Sequence, residues 1–381
     1  MRVMHVVPGK LFGGVETHLV TLARFRDLCP DMEPHYGVCY EARLSAELRS
    51  AGVPVHVLGG ARFTRPWTVW QARKRLREVA IEQQIDVVIC HMPWTQACFG
   101  PAAKAAGCGS VIFLQNPVEA DTWLEKWARK AVPDLVLGVS QDSARSSVKL
   151  YPNAPSEAIY SPMPEFQSHS KSEVRAEVRR ALDTPEEATV FLQASRMDVW
   201  KGHRILLDAL GRVRGQAGWI LWMAGGPQTP TEERYFAELK AQTERLGIAD
   251  RVRFLGQRSD VPRLMAAADV FSQANTGSEG FSWAFMEASA ASLPIVTSAI
   301  GGAPEIIDES NGRLVPPNDP EALAAVLPLF IGHPERCRTM GAAGCRRVHQ
   351  MCDRTRQIRK LHDLLLPLSK TTTAPAYAGK A

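Results

Sequence analysis

Two carboxylates stand out in EGFSWAFMEA, residues 279–288. Glu279 opens the stretch and Glu287 lies near its end, with a glycine and four bulky apolar side chains between them. On a helix, eight positions at about 100° each sum to about 800°, so two residues so spaced do not simply share a face. They can address different parts of an elongated ligand. A carboxylate accepts hydrogen bonds from hydroxyls, and its two oxygens fit a vicinal diol. The competing reading makes Glu279 a helix-start acid and Glu287 a solvated or ion-paired helix acid. Upstream, ASRMDVWKGHRILLDAL, residues 194–210, places Arg196 and Lys201 between a strand ending near Ser195 and a helix beginning around Gly202. Such a loop lies at the carboxyl edge of a parallel sheet, where α/β folds bind ligands. A helix start adds N–H groups and a positive dipole end. Two cations there suit a diphosphate; two solvated surface cations are the alternative.

Nearer the N-terminus, LFGGVETHLVTLAR, residues 11–24, follows a strand and opens a helix at Gly13-Gly14. Glycine lets backbone approach an anion closely, though an ordinary βα turn has the same look. The spacing is not G-x-G-x-x-G, which points away from a dinucleotide cofactor. His91 ends the strand of DVVICHMPW and is expected to face the ligand cleft, with a structural histidine as the alternative. His18 falls within the first helix. There is no D-x-D and no His/Asp cluster at metal spacing. That favours chemistry with no metal and no cofactor, in which Arg and Lys take the place of a divalent ion.

The elements that must position these residues follow from the apolar pattern. RVMHVV, HYGVCY, VPVHVL, DVVIC, SVIFLQ and DLVLGVS are short and β-rich, and runs with helical spacing lie between them. The alternation predicts a parallel sheet with helices on both faces. It breaks at residues 151–172, a Pro- and Ser-rich linker with one short strand-like stretch, and restarts with TVFLQAS, WILWMAGG, RVRFLGQ, DVFSQAN and LPIVTSA. The fold class is therefore α/β, with two Rossmann-like domains and a ligand cleft between them. The first takes residues 1–163 and is joined by a C-terminal helix at 353–368. The second takes residues 172–352, and 369–381 form a disordered tail.

Hydrophobic residues are 45% and charged residues 22% of the 381, as in ordinary globular chains. A net charge of +5 suits an anionic small molecule or an acidic membrane surface and not a dedicated nucleic-acid binder. No apolar run is long enough to span a bilayer, and MRVMHVVPGK reads as a first strand instead of a signal peptide. The eight cysteines form no C-x-x-C pair, so a reduced, cytoplasmic setting is the expectation.

Taken together, E-G-F with a second glutamate eight positions on, an upstream R-x4-K-G and an N-terminal G-G-x-E resemble the retaining glycosyltransferases of the GT4-like group, which have the GT-B fold. IGGAPEII (300–307) and NGRLVPPND (311–319) are similar to that group as well. The resemblance implies a nucleotide-sugar donor, UDP- or GDP-linked, and a glycan, glycolipid or metabolite acceptor. It implies that Arg196 and Lys201 hold the donor diphosphate, with Gly13 and Gly14 offering backbone N–H groups. Glu279, with the amides of Gly280 and Phe281 and neighbouring Ser282, would hold the sugar hydroxyls, and Glu287 the ribose diol. The base would lie near Gln257 and Arg258. His91 matches a histidine near the acceptor and donor sugar, and Glu16 matches the acid of G-G-x-E. Attack on the face from which the phosphate leaves, with that phosphate as base, is the family's usual route. Departures from the family pattern are SPMPEF (161–166) where N-G-x-D is common, Ser282 where glycine is common, and Trp200 before the phosphate lysine. They leave the sugar open. A nucleotide-sugar 2-epimerase and an inactive nucleotide-sugar binder remain as alternatives.

On the acceptor side, ARFTRPWTVWQARKRLREV (61–79) interleaves Arg62, Arg65, Arg73, Lys74, Arg75 and Arg77 with Trp67 and Trp70. This is a candidate for peripheral contact with an anionic membrane at the inner face. The competing reading is a solvated helix face with both tryptophans packed inward, and it is favoured. His91, Trp94 and Trp123 are acceptor-side candidates. Trp123 and Trp127, four apart on one helix, are expected to be core.

Overall fold

The computed structural model describes residues 1–165, 171–277 and 279–369. Part of the linker stretch, residues 166–170, and the tail from 370 on lie outside the described residues. The chain divides into one unit of residues 1–164 with the segment from 352 on, and a second unit of residues 165–351.

In unit 1, seven strands form one sheet: β1 Arg2–Val7, β2 Glu33–Val38, β3 Val55–Val57, β4 Val87–His91, β5 Gly109–Leu114, β6 Leu135–Gly138 and β7 Ser156–Ala158. All pairings are parallel, in the order β3-β2-β1-β4-β5-β6-β7. The central strands are apolar on both faces because helices cover both; Val3, Met4, Val6 and Val7 of β1 have no exposure at all. The helix Arg354–Leu365 packs in this unit, where Lys360 Nζ donates to Ala158 O at 2.8 Å and Arg354 Nη2 to Pro164 O at 2.9 Å.

Unit 2 repeats the plan with β8 Thr189–Ala194, β9 Trp219–Ala224, β10 Val252–Gly256, β11 Val270–Gln273, β12 Ile295–Ser298 and β13 Gly312–Val315. The order is β10-β9-β8-β11-β12-β13, again all parallel. In each unit the strand order reverses direction once, between β1 and β4 and between β8 and β11. The loops leaving the carboxyl ends of those strands diverge there, which makes a crevice. The two sheets are GT-B in architecture.

A buried ion pair ties the opposite edge of unit 2 together. Arg179, with no exposure, donates to Asp269 Oδ2 at 2.6 Å and to the carbonyls of Ala188, Glu186, Pro185 and Ala267. Asp269, just before β11, also accepts from Val190 N of β8 at 2.7 Å and from Arg175 at 2.9 Å. Asp269→Ala strands the Arg179 guanidinium and should cost about 3–5 kcal/mol. Thermal unfolding followed by circular dichroism checks this, and an unchanged midpoint contradicts it.

Candidate active site

The crevice of unit 2 is built by close approaches that only glycine permits. Gly202, at φ +71, ends the turn Val199–Lys201 and starts the helix His203–Arg212; a Cβ there would lie 1.6 Å from Ala274 O. Gly225, at φ +144, would set a Cβ 2.0 Å from Ser195 O. The loops after β8 and β11 can therefore touch. Thr276 N donates to Trp200 O at 2.8 Å, and Gln193 Nε2 to Lys201 O at 2.9 Å.

Lys201 and Glu279 meet across this seam. Lys201 Nζ lies 2.8 Å from Glu279 Oε1, and Asn275 Nδ2 donates to Glu279 Oε2 at 3.0 Å. Asn275 is itself held by Gln273 Nε2 at 2.9 Å. The lysine ammonium sits 4.0 Å from the centre of the Trp200 ring, which supplies a cation–π contact. The IGGAPEII segment fixes the backbone of Glu279: Gly302 N donates to Glu279 O at 2.9 Å, and a Cβ on Gly301 would fall 2.1 Å from that oxygen. Lys201 and Glu279, assigned by the sequence to different parts of a donor, thus form one ion-paired unit.

Arg196, Gln257, Arg258 and Glu287 line one cavity of about 410 Å³ together with Gly225 and Gly226. The Arg196 side chain is exposed and paired with Asp198. Arg258 holds Asp260 through two bonds of 2.7 Å each, and this guanidinium keeps the Asp260 carboxyl below its usual range. Glu287 projects from the helix Trp283–Ala290 and has no side-chain partner among the described residues. Burial alone pushes its carboxyl from 4.5 up to about 7. Phe281 and Ser282 are buried at the start of that helix, and the Ser282 hydroxyl has no hydrogen-bond partner among the described residues. Phe285 and Met286 are core, but Trp283 is only half-buried.

In unit 1 the structure departs from several expectations. Gly14 does open the helix Gly14–Arg24, but the Glu16 carboxylate accepts from Gly13 N at 3.0 Å and caps its own helix. Burial pushes that carboxyl up. His91 has no exposure. Its Nε2 lies 3.0 Å from His5 Nδ1, and Gln115 Nε2 donates to its Nδ1 at 3.2 Å. With Gln115 as donor, the His91 proton is on Nε2 and is given to His5. Burial lowers the pKa of both rings, that of His5 to about 3, so both are neutral. The expected ligand-facing His91 is instead enclosed, with both nitrogens engaged. Trp94 packs against Phe63 and Phe99. Trp123 is 64% exposed and meets Phe63 edge-on, so it is not core.

Sequence reasoning missed Asn275, Gln193 and Gln273, which orient the ion pair, and the carboxylate partners Asp198 and Asp260. It also missed His5. Among the described residues no group of three His, Cys, Asp or Glu side chains could hold a metal ion.

The fold is that of a GT-B protein. The model for Glycosyltransferase Family 4 matches residues 12–163, and that for Glycosyl transferases group 1 matches residues 188–329, together more than half of the chain. The chain belongs to the family 4 glycosyltransferases. It is 30% identical over 269 residues to the D-inositol 3-phosphate glycosyltransferase of Xylanimonas cellulosilytica, covering 68% of this chain and 62% of that one. The match thus spans less than two thirds of that relative's length. The GDP-mannose-dependent α-(1-6)-phosphatidylinositol monomannoside mannosyltransferase of Mycolicibacterium smegmatis is 26% identical over 288 residues, 71% of this chain and 73% of that one. Among solved structures, Anabaena HepE in complex with UDP and glucose superposes with a TM-score of 0.81 at 24% identity, over 96% of this chain and 99% of that one. A glycosyltransferase from Rickettsia africae gives 0.82 at 19% identity, over 96% and 98%.

The state of Glu287 has a thermodynamic signature. Folded, its carboxyl keeps a proton up to about pH 7; unfolded, it releases the proton near 4.5. Between those values the folded chain binds more protons, so stability falls as pH rises, by on the order of 3 kcal/mol in all. Glu287→Gln should therefore gain stability relative to the natural chain between about pH 5 and about pH 8. A constant difference in thermal midpoint across that range means Glu287 is ionised throughout.

Proposed function

We infer that the chain transfers a sugar from a UDP- or GDP-linked donor to a glycan, glycolipid or small-molecule acceptor, with retention of configuration and without a divalent metal. The observation that carries this reading is the cavity with Arg196 on its wall and, on the same wall, Glu287, which has no side-chain partner among the described residues. A half-buried carboxyl in a cavity wall lacks hydrogen-bond donors, and the two adjacent hydroxyls of a ribose would supply them. Arg196 in the same cavity suits the diphosphate that follows the ribose, and the backbone at Gly225, Gly226 and Gln257 suits the base. The names of the relatives support the class: one uses GDP-mannose, another acts on D-inositol 3-phosphate.

The chemistry follows from the ion pair. Glu279 has one bond to each oxygen, from Lys201 and Asn275, and a carboxylate has lone pairs left for sugar hydroxyls. Tied in this way, it is a poor free nucleophile. His91 is enclosed and neutral. As the family resemblance implies, the acceptor hydroxyl attacks the anomeric carbon on the face from which the diphosphate departs. The C–O bond electrons pass to the phosphate, which takes the acceptor proton, and the configuration is kept. Lys201 and Arg196 neutralise the charge that grows on the phosphate, which is worth more in the transition state than before it.

A thermal-shift panel of UDP, GDP, ADP and dTDP, with and without EDTA, tests the reading. At about 100 times its dissociation constant, one nucleotide should stabilise the fold by roughly 2.7 kcal/mol, unaffected by EDTA. No response to any of the four removes the site described. Arg196→Ala should lower kcat more than it raises the donor KM, since the growing charge is what Arg196 meets. A change in KM alone would place Arg196 in ground-state binding.

A further inference from the structure

The helix Pro66–Glu82 presents its outer face to solvent with an unusual composition. Trp67 is 59% exposed, Trp70 64% and Ile81 57%. This corrects the expectation that both tryptophans pack inward. Trp67, Trp70, Lys74, Arg77 and Ile81 follow one another by three, four, three and four positions. At about 100° per residue they fall within an arc of about 80°. The opposite arc holds Val69, Ala72, Leu76, Val79 and Ala80, all buried. The helix therefore has two apolar stripes, one used by the core and one left outside.

We propose that this outer stripe docks the chain on the surface of an anionic lipid bilayer. The charge pattern decides for lipid over a protein partner. Arg62, Arg65, Lys74 and Arg77 are exposed on or beside the stripe, whereas Glu78 and Glu82 lie on the flank that also carries Arg75, and Glu78 is paired with Arg75 at 3.5 Å and with Lys74 at 4.0 Å; the basic side chains still outnumber the acids. Protein interface cores are depleted of lysine and charge. A bilayer surface instead takes tryptophan rings at the headgroup level, with basic side chains reaching the phosphates. The Lys74 ammonium lies 5.8 Å from the centre of the Trp70 ring and 4.0 Å from Glu78 Oε1, at the exposed face of the helix. Arg73, by contrast, is turned inward to Cys98 O and Ala97 O and takes no part.

The stripe is held rigidly. Arg65 N donates to Arg62 O at 2.9 Å, and the Thr68 hydroxyl accepts from Arg62 N at 2.9 Å and donates to Arg65 O at 2.7 Å. These bonds fix both arginines at the helix start. Phe63, in the same turn, packs on Trp127 at 4.0 Å and on the exposed Trp123 at 5.4 Å, which extends the aromatic surface. No helix among the described residues is long and apolar enough to cross a membrane, so the contact is one of lying on the surface. The inference rests on this face alone and not on the transferase reading.

Sedimentation of the full chain with phosphatidylcholine vesicles, with and without phosphatidylglycerol, tests it. The chain should pellet with the anionic vesicles, less so at high salt. Lys74→Gln with Arg77→Gln should lower the partition coefficient roughly 30-fold, from the loss of two basic side chains near the surface. Trp67→Ser with Trp70→Ser should abolish pelleting. Both double variants change exposed residues, so they should keep the natural unfolding midpoint and the nucleotide-induced shift. No pelleting of the natural chain, or equal pelleting with neutral vesicles, overturns the proposal. So does a concentration-dependent dimer that the tryptophan variant loses, which would assign the face to a second copy.

Discussion

The ion pair between Lys201 and Glu279 organises the candidate site. It joins the two loops that leave β8 and β11, the strands between which the sheet reverses its order. Bringing a lysine and a glutamate out of water is costly unless both are well bonded. Here the glutamate has a second donor in Asn275, and the lysine has the face of Trp200. Gly202 and Gly301 permit the backbone approaches that make the pair possible.

Against that satisfied pair, Glu287 is the group left unsatisfied. Three cations of the candidate site hold carboxylate partners in this structure: Lys201 with Glu279, Arg196 with Asp198, Arg258 with Asp260. Glu287 is half-buried and has no side-chain partner among the described residues. A cavity wall with its cations already oriented and one carboxyl waiting for donors is preorganised for a ligand that brings both phosphate and hydroxyls.

Much of this was legible in the sequence. The strands of both sheets are short apolar runs with helical stretches between, and that pattern depends only on burial of both faces. β13 was not read as a strand, because GRLV is four residues long with a glycine and an arginine. Arg196, Lys201, Glu279 and Glu287 could be picked out because charged residues in apolar surroundings need a reason. Their partners could not. Asn275, Gln193 and Asp198 act through contacts between loops far apart in sequence, and nothing in their local spacing marks them. His91 illustrates the same limit: its place at a strand end was readable, but its enclosure by His5 and Gln115 depends on neighbouring strands. The tryptophans erred in the other direction. Trp67, Trp70 and Trp123 were expected inside by their apolar type, and the core of the helix Pro66–Glu82 was already filled by its smaller residues.

The measurement that tests the account most directly is calorimetric titration of whichever nucleoside diphosphate binds, beside its 2′,3′-dideoxy analogue, into the natural chain and into Glu287→Ala. If Glu287 receives the ribose diol, removing both hydroxyls should weaken binding to the natural chain by about 1–3 kcal/mol, the usual cost of stranding a buried polar group. The Glu287→Ala protein should then bind both ligands alike. Equal affinity of the natural chain for both would contradict the account, since Glu287 would then have no part in holding the ligand.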